Sequence, residues 1–156
     1  MKFIAHRGNL KGRNLERENT PDYVDEAIAA GFDVEIDVWR IEDKYYLGHD
    51  EHQYEIDLHW LLDRAANLWC HAKNLDALHD LIHYSKLNVF WHQEDDYTMT
   101  THNFIWTYPE KEIKEFSYRQ VILLFDWTYD ETKIPYGGIC SDDIILYRNK
   151  YEKGIN

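Results

Sequence analysis

Proton-transfer and ion-binding side chains recur in this chain where short apolar runs end. Lys2–His6 leads into His6-Arg7-Gly8, which delivers an imidazole and a guanidinium to one place. Val34–Trp39 carries Glu35 and Asp37, and His49-Asp50 follows soon after. Leu68–Ala72 leads into His71-x-Lys73, and Val89–His92 into His92-x-Glu94. Side chains alternate across a strand, so Glu35 and Asp37 share a face, as do His71 and Lys73. Paired carboxylates repel unless a proton or cation lies between them, and a hard divalent ion is the natural partner. Histidines, with pKa values near ~6.5, can both take and give protons at neutral pH.

The elements that must position these groups are legible as alternating strand and helix signals. Strands are expected at Lys2–His6, Val34–Trp39, Leu68–Ala72, Val89–His92, Phe104–Tyr108, Val121–Phe125 and Gly138–Ser141. These are apolar or aromatic runs, as in strands covered on both faces. Thr20-Pro21 starts a helix striped by Val24, Ala27 and Ile28 and stopped by Gly31. Asp57 caps a second, striped by Leu58, Leu61, Leu62 and Ala65, and Asn74 a third, striped by Leu75, Leu78 and Ile82. Pro109 opens a weaker fourth. Residues 38–47 look like a hairpin, with Val38–Arg40 running out, Glu42-Asp43 turning and Tyr45–Leu47 returning.

Such alternation implies an α/β fold with parallel strands and helices outside. About seven strands plus a hairpin strand favour a compact or incomplete TIM-type (β/α) barrel over a doubly wound sheet. A full barrel takes about 250 residues, so at 156 residues this one is pared down. His92 to Phe104 leaves no room for a helix, and Asp130–Ile134 little more. In barrels of this kind the working residues lie at the C-terminal ends of the strands, where the groups above fall. His92, Glu94, Asp95, Asp96 and Asp142 lie on the same rim, as substrate contacts or as solvated loop.

Length is that of one domain, residues 1–156, with 44% hydrophobic and 15% aromatic content against disorder. A net charge of −12 speaks against a nucleic-acid partner. Two cysteines, Cys70 and Cys140, make no disulfide framework and read as reduced core residues of a cytoplasmic protein. No apolar run approaches the ~20 residues of a membrane span, and Phe3-Ile4-Ala5 is too short for a signal peptide. "HDLIH" at 79–83 is similar to the zinc pattern H-E-x-x-H, but it belongs to an outer helix. The tryptophans, Trp127 among them, read mostly as packing residues, with Trp39 or Trp106 able to stack on a substrate ring.

"AHRG", "ENT", "AIAAGFDVEIDV" and "HD", in this order and register, resemble the N-terminal signature of the glycerophosphodiester phosphodiesterases. "LWCHAKNL", "FIWTYP" and "GICSDDI" resemble that family's later strands more loosely. The resemblance implies a TIM barrel and metal-dependent hydrolysis of a small-molecule phosphodiester. It implies His6 and His49 as the acid–base pair, and Arg7 and Lys73 as phosphate ligands. Glu18 and Asn19 would shape the mouth of the site for substrate. Glu35, Asp37 and His71 would hold one divalent ion, Mg²⁺, Ca²⁺, Mn²⁺ or Zn²⁺. Phosphodiester cleavage needs these parts: a base, an acid and positive charge on the non-bridging oxygens. Two departures stand out: His71 replaces a family glutamate, and the elements that usually follow the fourth strand are missing. They keep two alternatives open, a phosphodiester-binding or regulatory module without turnover, and the same chemistry on a lipid headgroup or sugar-phosphate polymer.

Overall fold

The structure is a computed structural model in which residues 1–109, 111, 117–124 and 137–154 are described. Its strands are β1 (Lys2–His6), β2 (Asp33–Ile41), β3 (Lys44–Leu47), β4 (Tyr54–Ile56), β5 (Leu68–Ala72), β6 (Asn88–Trp91), β7 (Tyr97–Met99), β8 (Ile105–Thr107), β9 (Gln120–Leu124) and β10 (Gly138–Ser141). Its helices are α1 (Pro21–Ala29), α2 (Leu58–Asp63), α3 (Leu75–Leu81) and α4 (Ile144–Gly154). All ten strands belong to one sheet. Its backbone is a parallel run in the order β6-β5-β2-β1-β10-β9-β8.

These parallel strands are the expected ones, shifted by a residue or two at their ends; Phe125 lies outside the described residues. The helix expected from Pro109 and the short Asp130–Ile134 segment also fall largely or wholly outside them. Among the strands and α-helices, three elements went unforeseen. β4 extends the hairpin, β7 runs antiparallel to β8 between His92 and Phe104, and α4 packs Ile144 and Tyr147 into the core.

The local signals act as expected. Thr20, Asp57 and Asn74 each accept a backbone N–H three residues on, capping α1, α2 and α3. Glu42 and Asp43, both at positive φ, make the two-residue turn whose twist suits a hairpin.

The strands alternate between two apolar layers. One face, with Ala5, Val34, Ile36, Cys70, Val89 and Ile139, packs among the helices. The other face supplies a separate inner cluster: Ile4, Trp69, Phe90, Trp106, Val121, Leu123 and Cys140. Phe90 and Trp106 sit on the two ends of the parallel run, yet their rings stack with centroids 4.5 Å apart. The sheet is therefore strongly curled around its own core. Between β6 and the β7 segment it is not closed by a ladder. Individual bonds cross there, from Thr98 Oγ1 to Trp91 O at 2.7 Å and from Thr101 N to Val89 O at 2.8 Å. The result is a mixed α/β fold with a curled, open sheet, an incomplete barrel. Among the described residues no helix is long and apolar enough to cross a membrane.

Candidate metal and phosphate site

Register brings the chemistry together. In the parallel ladders His6 lies beside Glu35, and Asp37 beside His71. These side chains share the inner face with Ile4, Trp69 and Phe90, and in the ladders Glu35 pairs with Trp69 and His71 with Phe90. The apolar cluster thus floors a cavity of about 410 Å³ at the C-terminal ends of the strands. His6, Arg7, Glu35, His49, His71 and Lys73 line it, with Trp91, His92, Trp106 and Tyr108 forming an aromatic wall.

Glu35 and Asp37 are both buried, at 2% and 0% exposure. One oxygen of each carboxylate is held by protein donors. Asp37 Oδ2 accepts Asn19 Nδ2 at 2.9 Å and faces Arg7 Nε at 3.2 Å. Glu35 Oε2 accepts the Arg7 backbone N–H at 3.3 Å. The other two oxygens, Asp37 Oδ1 and Glu35 Oε1, lie 3.1 Å and 3.8 Å from His71 Nδ1. Asp37 Oδ1 is buried and makes no hydrogen bond of good geometry; His71 Nδ1 at 3.1 Å and Lys73 Nζ at 3.4 Å approach it as ion-pair contacts. Glu35, Asp37 and His71 can each offer one ligand atom, all within 4.8 Å of one another, and so could hold a metal ion. This donor set fits a divalent cation, which would neutralise two buried carboxylates and satisfy Oδ1.

The electrostatics agree. Burial and the charge of Asp37 push Glu35 above the usual carboxylate range. Burial alone would also raise Asp37, but His71, Lys73 and Arg7 outweigh it and hold Asp37 far below that range. Lys73 Nζ lies 3.4 Å from Asp37 Oδ1.

His6 Nδ1 lies 2.8 Å from Asp142 Oδ1; a carboxylate only accepts, so Nδ1 carries the proton. The same holds for His49 Nδ1 and Asp50 Oδ1 at 2.7 Å. Burial lowers the pKa of His6, but the bond to Asp142 and the charge of Glu35 prevail and raise it. At His49 burial prevails, with Arg7 and Lys73 adding to it against Asp37, and the pKa falls. Gly48 sets the loop that carries His49. Its φ is 147°, and a Cβ there would lie 2.0 Å from Glu51 O.

No family model, curated protein or solved structure matches this chain. Function therefore rests on the geometry of the site.

The expected residues separate into two groups. His6, Arg7, Glu35, His49, His71 and Lys73 line the cavity. Glu18 and Asn19 are not among its lining residues; they are buried behind Arg7 and Asp37. Glu18 accepts Arg7 Nη1 at 3.2 Å and Asn9 Nδ2 at 3.0 Å. Asn19 grips Asp37 twice, donating to its carboxylate and accepting its backbone N–H at 3.0 Å. They brace the site rather than shape its mouth.

Two partners were not assigned these roles from sequence. Asp142, read only as a rim residue, holds His6. Asn9 bridges Asp142 and Glu18 with one amide group. The signal for Asp142 was its place just past a strand end; Asn9, next to the His-Arg-Gly turn, had none. In "HDLIH" Asp80 is bonded by Tyr45 Oη and faces Arg40, and His79 and His83 meet only edge to face. Among the described residues the one group able to hold an ion is Glu35, Asp37 and His71. Cys70 and Cys140 are free and buried, and burial with the charge of Glu35 pushes the Cys70 thiol to about 12.

Proposed function

We propose that this chain is a metal-dependent phosphodiesterase of the glycerophosphodiester class, on a shortened TIM-type barrel. The observation that carries the reading is the convergence of two His–Asp pairs on one cavity, beside two cations and a buried ion-binding group. Each histidine spends Nδ1 on an aspartate, and Nε2, which at His6 lies 3.8 Å from Glu35 Oε2, is the proton-exchanging atom.

One histidine takes the proton of the attacking hydroxyl, the substrate's own neighbouring hydroxyl as the family resemblance implies. The phosphorus–oxygen bond to the alcohol breaks as the new one forms, and the other histidine protonates the departing alkoxide. Water then opens the cyclic phosphate with the two roles reversed. Arg7 and Lys73 hold the non-bridging oxygens and stabilise the charge that grows on them. Glu35, Asp37 and His71 would hold a divalent ion, which would supply further positive charge beside the phosphate. A cavity of about 410 Å³ suits a small diester rather than a polymer.

The test is hydrolysis of bis(p-nitrophenyl) phosphate and of glycerophosphodiesters after chelation and metal add-back, with His6→Ala as control. Metal-dependent turnover lost in the variant supports the reading. Tight binding of the diesters without turnover makes the chain a binding module, and neither activity removes the assignment.

A further inference from the structure

The atom that completes the ion-binding group is a nitrogen whose direction is fixed from behind. His71 Nε2 lies 2.9 Å from the backbone carbonyl of His92. A carbonyl can only accept, so Nε2 carries a proton and donates it. Nδ1 faces Asp37 Oδ1 at 3.1 Å and Glu35 Oε1 at 3.8 Å, and any proton it shares with Asp37 is released when an ion takes its lone pair. The ring also lies flat on Phe90, with centroids 5.1 Å apart and planes at 7°. Stacking and the carbonyl together keep Nδ1 aimed at the two carboxylates. Ligating histidines commonly have this arrangement, with the far N–H tied to a carbonyl that sets tautomer and orientation.

Resting on the metal-dependent reading above, we infer that His71 Nδ1 is a metal ligand and makes this a site for a borderline divalent ion, Mn²⁺, Co²⁺ or Zn²⁺, in preference to Mg²⁺ or Ca²⁺. An all-carboxylate shell favours hard ions. Here one of three donors is an imidazole, which brings no negative charge and binds more tightly from Mn²⁺ towards Zn²⁺. Glu94 does not replace it, because it is exposed and outside the group that can converge on an ion.

The experiment is calorimetric titration of the chelated protein with Mg²⁺, Ca²⁺, Mn²⁺, Co²⁺ and Zn²⁺, repeated with His71→Glu. Wild type should bind the last three more tightly than Mg²⁺ or Ca²⁺, with Mn²⁺ the weakest of the three. His71→Glu should narrow or reverse that gap. An unchanged gap in His71→Glu, or no ion bound by wild type, overturns the inference. If the variant does not fold, ¹⁵N-histidine NMR of wild type decides. On adding Zn²⁺ the His71 Nδ1 resonance should shift while Nε2–H stays protonated, and an unmoved Nδ1 overturns the assignment. Neither readout uses turnover. Zn²⁺ binding without hydrolysis sinks the proposed reaction and leaves the metal preference standing; hydrolysis with an unchanged gap between the two groups of ions does the reverse.

Discussion

His6 and Asp142 are 136 positions apart in the chain, and their Nδ1 and Oδ1 atoms lie 2.8 Å apart, with His6 lining the cavity. The register of β1 beside β10 brings the two strand ends together. The contact fixes which imidazole nitrogen exchanges protons. Asp142→Asn keeps the shape, but its amide can donate to Nδ1 and so favours the wrong tautomer. Turnover of bis(p-nitrophenyl) phosphate should fall about 10²- to 10⁴-fold, with metal affinity by calorimetry little changed. A rate near wild type would remove Asp142 from the positioning of His6.

Lys73 stands between two duties, as a partner of Asp37 and as a cation for phosphate. Its removal should move them in opposite directions. Lys73→Met should tighten divalent-ion binding by at least about tenfold, the worth of one nearby charge at partial exposure. It should also raise KM for the diester. Steady-state kinetics at saturating metal, alongside calorimetry, separates the two; weaker metal binding in the variant would contradict the assignment.

Asn19 has φ 61° and makes two bonds to Asp37. Asn19→Gly keeps the backbone conformation and loses both bonds, at a cost of about 2–4 kcal/mol. Asn19→Ala should cost about 1 kcal/mol more, because alanine resists the left-handed region. Urea unfolding in chelator measures both, and equal stabilities would show that backbone strain plays no part.

Glu18 supplies a pH dependence. Burial would raise its pKa, but hydrogen bonds from Asn9 and Arg13 and the charge of Arg7 bring it below the usual value. Its folded pKa is thus depressed relative to the unfolded value of about 4.3. The stabilisation is present above that value and is lost as pH falls through the folded pKa. Glu18→Gln should therefore be less stable than wild type at pH 7, and the difference should shrink as acid is added. Urea midpoints between pH 7 and pH 3, with chelator present, test this; a constant difference would assign Glu18 a packing role alone.

Gly48→Ala should disturb the His49 loop without unfolding the sheet. The added Cβ meets the Glu51 carbonyl, and the loop has to shift. Turnover should drop while circular dichroism and the unfolding midpoint stay near wild type. Unchanged turnover would place His49 outside the proton transfers.

The sequence by itself determined the local features, because their causes are local. Caps at Thr20, Asp57 and Asn74, the Glu42-Asp43 turn and the period-two faces of β2 and β5 follow from residue types and spacing. Together they placed Glu35 with Asp37, and His71 with Lys73, on shared faces. α4 escaped because its burial rests on tertiary partners, with Arg148 over the Phe32 ring and Ile144 and Tyr147 against the core. β4 and β7 escaped because at most one of the three residues in each is buried and they become strands only through their partners, whereas the equally short β8 is mostly buried.

Only the tertiary structure decided which faces look inward and which strand ends meet. The curl of the sheet puts Phe90 against Trp106, and the parallel register sets His6 beside Glu35 and Asp37 beside His71. It also put Glu18 and Asn19 behind the site, gave His6 its aspartate, and turned His71 Nδ1 towards the carboxylates through a backbone carbonyl from the next strand. No spacing in the sequence encodes that last contact. A backbone acceptor has no residue type to recognise, and its position exists only once the strands have paired.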